Sequence, residues 1–312
     1  MRIEYHRTLV ADSVRVAAFH AALAQVIRKG KSVVVDIGTG TGVLAMLAAR
    51  LGAKKVYAYE KAEIGALAER LVKLNRIKSI ELIPARSTEI IDPPRGDIVV
   101  SETLGNYALE EFLVETMNDA RARHLKPDGI LIPGAVEQFA CPLIAPRLFD
   151  ELAVWDRVGY GIDFTPARTM SLNNAYVRSV MTQELLDGGR AAARWDRVDF
   201  SVRNRTSRKG VAAWPIKRPV TVYGVALWWA AELVQNVSLS TGPLDAPTHW
   251  EQLIFPALEP LHLQAGDHLT ADLRSRSTEE GGTDLAWTFT AIDARGRQRA
   301  RQVLSLEKGF LP

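Results

Sequence analysis

Cysteine is almost missing: the 312 residues contain one, Cys141, so no internal disulfide framework exists. No Cys/His grouping has the spacing that holds zinc, and metal catalysis is not expected. Apolar runs of the roughly 18 residues that a membrane span needs are missing too, and the opening MRIEYHRTLVADSVR has no long apolar stretch behind a basic start. The expectation is a cytoplasmic protein with no membrane partner. Charge of one sign is scarce: 39 Lys and Arg stand against 36 Asp and Glu, a net +3 that gives no argument for nucleic acid. Basic residues do gather at Arg203, Arg205, Arg208 and Lys209, and at the alternating positions Arg295, Arg297, Arg299 and Arg301. Without interleaved aromatics, both groups read as solvated faces.

What is present is the balance of an ordinary globular protein, 47% hydrophobic and 24% charged, at a length that suits two domains better than one. The first third has a βαβ rhythm: a β-branched run from Ser32 to Ile37, helical spacing from Val43 to Leu51, then strand-like runs at Val56–Glu60, Ile80–Ile83 and Ile98–Ser101. Helical patterns lie around Ile64–Asn75 and Leu109–Leu125, and Lys126-Pro127-Asp128-Gly129 reads as a turn that stops a helix and starts a strand at Ile130. Continuous apolar strands of this kind suit a parallel sheet covered on both faces. After Pro133 the texture changes to period-two alternation, as in Leu261–Leu273 and Leu285–Leu304, which is antiparallel β character. Between the two regions, Trp155–Leu186 is rich in Gly, aromatics and Met and reads as an arm ending in a helical pattern.

The strand Val33–Ile37 runs directly into Gly38-Thr39-Gly40-Thr41-Gly42, a turn that lets a ligand approach the backbone closely. Glu60, 22 positions after Gly38, closes the next strand, where a carboxylate accepts hydrogen bonds from ribose hydroxyls. The G-x-G-x-G spacing favours S-adenosylmethionine over a dinucleotide. A second cluster, Ser101-Glu102-Thr103-Leu104-Gly105-Asn106-Tyr107-Ala108-Leu109-Glu110-Glu111, starts at the carboxyl end of a predicted strand, where open α/β sheets bind ligands. Glu102 and Glu111 are nine positions apart, and a loop through Gly105 folds them back toward one pocket. Two carboxylates match one guanidinium, whose planar fork of N–H donors binds carboxylate bidentately.

With these residues in place the chain resembles the protein arginine methyltransferases, which pair a double-glutamate loop of this form with a motif like Asp36–Gly42. Thr248-His249-Trp250 is similar to the family's Thr-His-Trp loop, and His6, Asp12 and Arg15 to its His, Asp and Arg segment. The resemblance covers nearly the whole chain. It implies a Rossmann-like α/β domain over residues 1–133 that binds S-adenosyl-L-methionine, and an antiparallel β-barrel substrate domain over 134–312. A helical dimerisation arm at about 155–190 would be inserted in the second, and the chain would be a homodimer. Cofactor contacts are expected from His6, Arg15, Asp36, Gly38, Gly40, Gly42, Glu60, Thr88 and Glu89, with Arg15 on the methionyl carboxylate. Glu102, Glu111 and Trp250 are the expected arginine-binding residues, and Glu102, Glu111, His249 and Asp12 the catalytic ones, Asp12 pairing with His249 across the domains.

A guanidinium is a poor nucleophile because its lone pairs are delocalised and its pKa lies near 13. Two carboxylates that hold positive charge on two of its nitrogens leave electron density at the third. Glu102, Glu111 or His249 can relay the proton released afterwards. Several positions depart from the family. Thr103-Leu104 replaces a bulky Trp-Met pair, Leu9 and Leu113 stand where methionines flank the pocket, and only five residues precede His6. Cover over the cofactor is therefore expected from elsewhere, such as a second subunit. The substrate is read as an arginine-containing protein or peptide; a guanidino-containing small molecule or natural-product peptide, and a catalytically inactive cofactor-fold scaffold, are the alternatives. Trp228 and Trp229 are read as barrel packing.

Overall fold

The β-branched run after Ser32 becomes the middle strand of a five-stranded parallel sheet. The structure, a computed structural model, describes residues 3–278 and 282–307, so the expected domain limits at residues 1 and 312 lie outside the described residues. Two helices come first, α1 (Ile3–Ala11) and α2 (Ser13–Val26). Then follow β1 (Val33–Ile37), α3 (Val43–Arg50), β2 (Lys55–Tyr59), α4 (Gly65–Leu74), β3 (Ile80–Ile83), β4 (Gly96–Ser101), α5 (Leu113–Asp119) and β5 (Leu125–Ile132). Sheet order is β3-β2-β1-β4-β5 with every pair parallel. Val34, Val35, Val99 and Val100 have no exposed surface, as strands covered on both faces require. Chain order reverses between β1 and β4, which opens a crevice beyond their carboxyl ends. Gly38 and Glu102 are the first residues past those ends.

Two sequence expectations change here. The helix expected over Leu109–Leu125 is reduced to α5 followed by one wide turn at Ala120–His124. Ala108, Glu111 and Phe112 have φ of +68°, +54° and +60°, left-handed values that no right-handed helix accommodates. The Lys126–Gly129 turn lies inside β5 rather than before it. Its residues loop out where the register with β4 shifts between Gly96↔Leu125 and Ile98↔Ile130.

The second half contains β6 (Ala135–Leu143), α6 (Arg147–Leu152), α7 (Thr165–Leu172), β7 (Tyr176–Arg178), β8 (Ala193–Asp199), β9 (Ser207–Pro215), β10 (Val220–Val234), β11 (Val237–Ser240), β12 (Gln252–Leu263), β13 (His268–Thr278), β14 (Gly282–Ile292) and β15 (Gln298–Ser305). It is built from two antiparallel sheets, β7-β12-β10-β6-β8 with β11 on β10, and β15-β14-β13-β9. They pack through aromatic residues: Phe255 stacks on Trp287 at 4.4 Å, and Trp287 Nε1 donates to the Pro256 carbonyl at 3.0 Å. The alternating run Leu261–Leu273 is two strands, split by a turn in which Asp267 Oδ2 accepts from Gln264 N at 2.8 Å. The segment Trp155–Leu186 holds α7 but then rejoins the larger sheet, since β7 pairs with β12 from Gln252↔Arg178 to Ile254↔Tyr176. Among the described residues no single helix is long and apolar enough to cross a membrane.

Candidate active site

The glycine turn after β1 works as a backbone cradle. Gly38, Gly40 and Gly42 have φ of +74°, +57° and +81°, the left-handed region that only glycine enters without strain. Gly38 N and Thr39 N donate to the Tyr59 carbonyl at 3.0 and 2.9 Å. Glu60, at the end of β2, fixes the far side: one carboxylate oxygen accepts from Gly40 N at 3.0 Å and the other from Ala62 N at 2.8 Å. Asp36 is buried and accepts from the Thr39 hydroxyl at 2.5 Å, and burial pushes its carboxyl up to about 6. Asp36, expected as a cofactor contact, braces the turn through Thr39 and lines neither of the two cavities described next.

Two adjoining cavities flank Glu60. The first, about 480 Å³, is lined among others by Ile37, Tyr59, Arg86, Ser87, Thr88, Phe112 and Glu115. The second, about 290 Å³, is lined by His6, Leu9, Arg15, Gly40, Glu102 and Leu104 among others. Gly38, Glu60, Lys61, Arg86, Thr103 and Glu111 border both. The structure thus brings Glu102 and Glu111 to one cavity beside the glycine turn. A Cβ on Gly38 would lie 2.9 Å from Thr103 Cγ2, so the turn and the glutamate loop are in van der Waals contact. Thr88 reaches the first cavity, whereas Glu89 is exposed and lines neither, and Leu113 is fully buried.

The loop between the two glutamates is held from several directions. Trp250 Nε1 donates to the Leu104 carbonyl at 2.7 Å and Trp229 Nε1 to the Gly105 carbonyl at 3.1 Å. Asn106 Nδ2 donates to the Trp250 carbonyl at 2.6 Å, and Gln138 Nε2 to the Tyr107 carbonyl at 2.9 Å. Glu110 turns inward and accepts from the backbone N–H groups of Asn106 and Tyr107. Trp250, expected on the arginine pocket, is 1% exposed and lines neither cavity; what the structure shows is its hold on the loop through the Leu104 carbonyl. Trp229, expected as packing alone, supplies a second such hydrogen bond.

Charge at the site is set by burial. The Arg15 guanidinium donates to the Glu102 carboxylate through Nε at 2.6 Å and through Nη2, while its Nη1 donates to the Leu9 carbonyl at 3.1 Å. Burial pushes the Glu102 carboxyl up to about 7, with Arg15 opposing the rise. Glu111 stays open to the cavity, and its carboxyl is raised by desolvation and then by Glu60. Asp12 caps α2, accepting from Arg15 N at 2.9 Å. Its other oxygen accepts from His249 N at 3.0 Å and from His249 Nδ1 at 2.7 Å. Burial holds the His249 imidazole below its usual range. His249 and Asp12 line a separate surface cleft with Arg7, Thr8 and Pro247, so the pair ties the two halves together and neither residue reaches the cavity of Glu102. His6 does reach it, with Cε1 3.5 Å from the place of a Cβ on Gly40.

Residues that the sequence reading left out are Lys61, Arg86, Glu115 and Thr116 on the cavity walls. None belongs to a spaced motif, and only the fold gathers them.

Comparison with known proteins gives the same outline. Residues 20–137 match the family model for ribosomal protein L11 methyltransferase (PrmA), and residues 140–290 match the arginine methyltransferase oligomerization subdomain. Protein arginine N-methyltransferase 1 of Schizosaccharomyces pombe is 30% identical over 303 residues, covering 91% of this chain and 86% of that protein. This chain belongs to the protein arginine N-methyltransferase family. Another relative is protein arginine N-methyltransferase PRMT10 of Oryza sativa subsp. japonica, 28% identical over 331 residues, covering 94% of this chain and 87% of that one. Among solved structures, the Trypanosoma brucei PRMT1 enzyme-prozyme heterotetrameric complex with AdoHcy shares the fold with a TM-score of 0.86 at 24% identity, over 97% of this chain and 98% of that chain. Arabidopsis thaliana protein arginine methyltransferase 10 does so with a TM-score of 0.80 at 22% identity, over 98% of each.

Proposed function

We propose that this chain transfers a methyl group from S-adenosylmethionine to a guanidinium nitrogen of an arginine in a protein or peptide. The observation that carries the reading is the convergence of Glu102 and Glu111 on one cavity wall beside the glycine turn. The residues present fit the cofactor. The cradle at Gly38–Gly42 admits close approach, and Glu60 has used two of the roughly four acceptor positions of a carboxylate, leaving others for ribose hydroxyls. Arg15 has engaged three of the five N–H donors of a guanidinium and keeps two for the methionyl carboxylate. S-adenosylmethionine supplies an electrophilic methyl on a positive sulfonium.

The chain's own residues prepare the acceptor. Glu102 and Glu111 accept hydrogen bonds from two guanidinium nitrogens and fix its plane, so the third nitrogen keeps its electron density and faces the methyl donor in line. Because burial raises both carboxyls, either can take the proton released once the nitrogen is methylated. His249 lines another cleft, so the two glutamates are better placed for that proton.

The same reading divides the chain at residues 133/134, has the segment 155–190 serve as the dimerisation arm of a homodimer, and places the protein in the cytoplasm. The matched oligomerization subdomain supports the assembly, and the buried, unpaired Cys141 fits a reducing compartment.

The test is methylation of arginine-rich peptides, followed by mass spectrometry, for wild type, Glu102→Gln and Glu111→Gln. Each variant should lose on the order of a hundredfold or more in kcat/KM while still binding S-adenosylhomocysteine. Methylation of free guanidino compounds in preference to peptides, or full activity in both variants, would overturn the proposal.

A further inference from the structure

The geometry points to Glu115 as the residue that reads the exocyclic amino group of the cofactor's adenine. The inference rests on the proposed cofactor and goes beyond it by naming what selects the base.

The two cavities have chemically distinct ends. Glu102, Arg15, His6 and Leu9 border only the second, and Tyr59, Ser87, Thr88, Phe112, Glu115 and Thr116 only the first. Glu60 borders both, and its carboxylate is the group that suits a ribose. A nucleoside whose reactive end faces Glu102 and whose ribose meets Glu60 must therefore place its base in the first cavity. There the wall exposes more apolar than polar surface, with Ile37, Ala85 and Phe112 among its residues, and a flat heterocycle fits it.

Two side-chain oxygens of residues in that wall are shielded from solvent without a hydrogen-bond partner, the Tyr59 hydroxyl and Glu115 Oε2, and only the second belongs to a carboxylate. A buried, unpaired carboxylate oxygen is costly, and folded proteins almost always pair such atoms. The missing partner must be a hydrogen-bond donor, because a carboxylate only accepts. Adenine presents such a donor in its exocyclic amino group. A base with a carbonyl at the same position, as in hypoxanthine, would set an acceptor against an acceptor.

The deciding experiment is calorimetric titration with S-adenosylhomocysteine and with its inosine counterpart, in which a carbonyl replaces the amino group. Wild type should bind the adenosine compound about tenfold to a hundredfold more tightly, the range of one charge-assisted hydrogen bond. In Glu115→Ala the adenosine compound should weaken by a similar factor and the ratio should collapse toward one. Glu115→Gln, which keeps the shape and can offer either amide face, should likewise lose discrimination and so separates recognition from misfolding. Equal wild-type affinity for the two compounds, or an unchanged ratio in Glu115→Ala, would overturn this assignment alone. If wild type bound neither compound, the proposed function would fall and the assignment with it.

Discussion

Gly105→Ala is the sharpest perturbation of the loop that carries the two glutamates. A Cβ at residue 105 would lie 1.8 Å from Glu110 Oε2, 2.6 Å from Glu110 Cβ and 2.7 Å from Glu110 Cδ. Carbon atoms in contact normally stand about 3.5 to 4.0 Å apart, so the approach must lengthen by roughly 1 Å or more. Rotating Glu110 aside does not solve this, because its own Cβ is one of the clashing atoms and its carboxylate accepts from the backbone of Asn106 and Tyr107. Forced repacking costs about 1 to 3 kcal/mol, and freeing a buried acceptor pair about as much again. The loop will instead move, carrying Glu102 and Glu111 apart, and a 1 Å displacement of positioning groups costs on the order of a hundredfold in rate. The assay is kcat/KM on an arginine peptide together with denaturant unfolding. Gly134→Ala serves as the control, since its nearest foreign atom is 3.6 Å away and its stability should change by no more than about 0.5 kcal/mol. A Gly105→Ala enzyme within about threefold of wild-type activity, with an unchanged unfolding midpoint, would refute the view that loop geometry governs the reaction.

Three further outcomes follow from the same site. Activity should rise with pH through about 7, because Glu102 titrates near 7 and Glu111 is shifted the same way, and only ionised carboxylates grip the cation; a flat kcat/KM profile from about pH 5.5 to 8 would contradict this. Stability of the unliganded protein should move oppositely. The Glu102 contribution is fully present below the unfolded value of 4.5 and is lost as pH rises through about 7, so wild type should weaken relative to Glu102→Gln across that window in chemical unfolding. Trp250→Phe keeps the packing but removes the 2.7 Å donor to the Leu104 carbonyl. It should cost about 1 to 3 kcal/mol of stability and lower kcat with little change in KM for the methyl donor. A fall confined to cofactor KM would show that the tryptophan does not act on the loop.

The first half of the fold was legible because its strands are continuous apolar runs and its turns are marked by glycine. Val33–Ile37 and Gly38–Gly42 needed no tertiary information. The helix at Leu109–Leu125 misread because periodicity cannot register the left-handed backbone at Ala108, Glu111 and Phe112, which neighbours impose rather than propensity. For the same reason the roles of Trp250 and Trp229 were hidden: an indole N–H finds its acceptor only after β10 and the Thr248–Trp250 loop pack beneath the glutamates. Arg15 and Glu102 are 87 positions apart in the chain, and nothing in the intervening sequence marks them as partners. Lys61, Arg86 and Glu115 carried no signal at all, since single charged residues without spacing resemble any solvated surface.

These misreadings share a physical cause that also bears on how the site works. Three non-glycine residues near Glu111 sit in left-handed backbone, each costing on the order of 1 kcal/mol or more, and such conformations persist only where surrounding contacts over-determine them. Here the contacts come mainly from the second half of the chain: Trp229, Trp250 and Gln138 hold three carbonyls of the loop, at Gly105, Leu104 and Tyr107 respectively. The Asp12–His249 pair adds a further tie between the halves, next to Arg15. The parallel sheet supplies the glycine turn and Glu60, which suffice to shape a nucleoside cavity, but it does not by itself hold two raised carboxylates on one wall. The arginine grip is therefore a property of the junction between the halves, and strain in the loop is offset by indole and amide donors that belong to the antiparallel sheets.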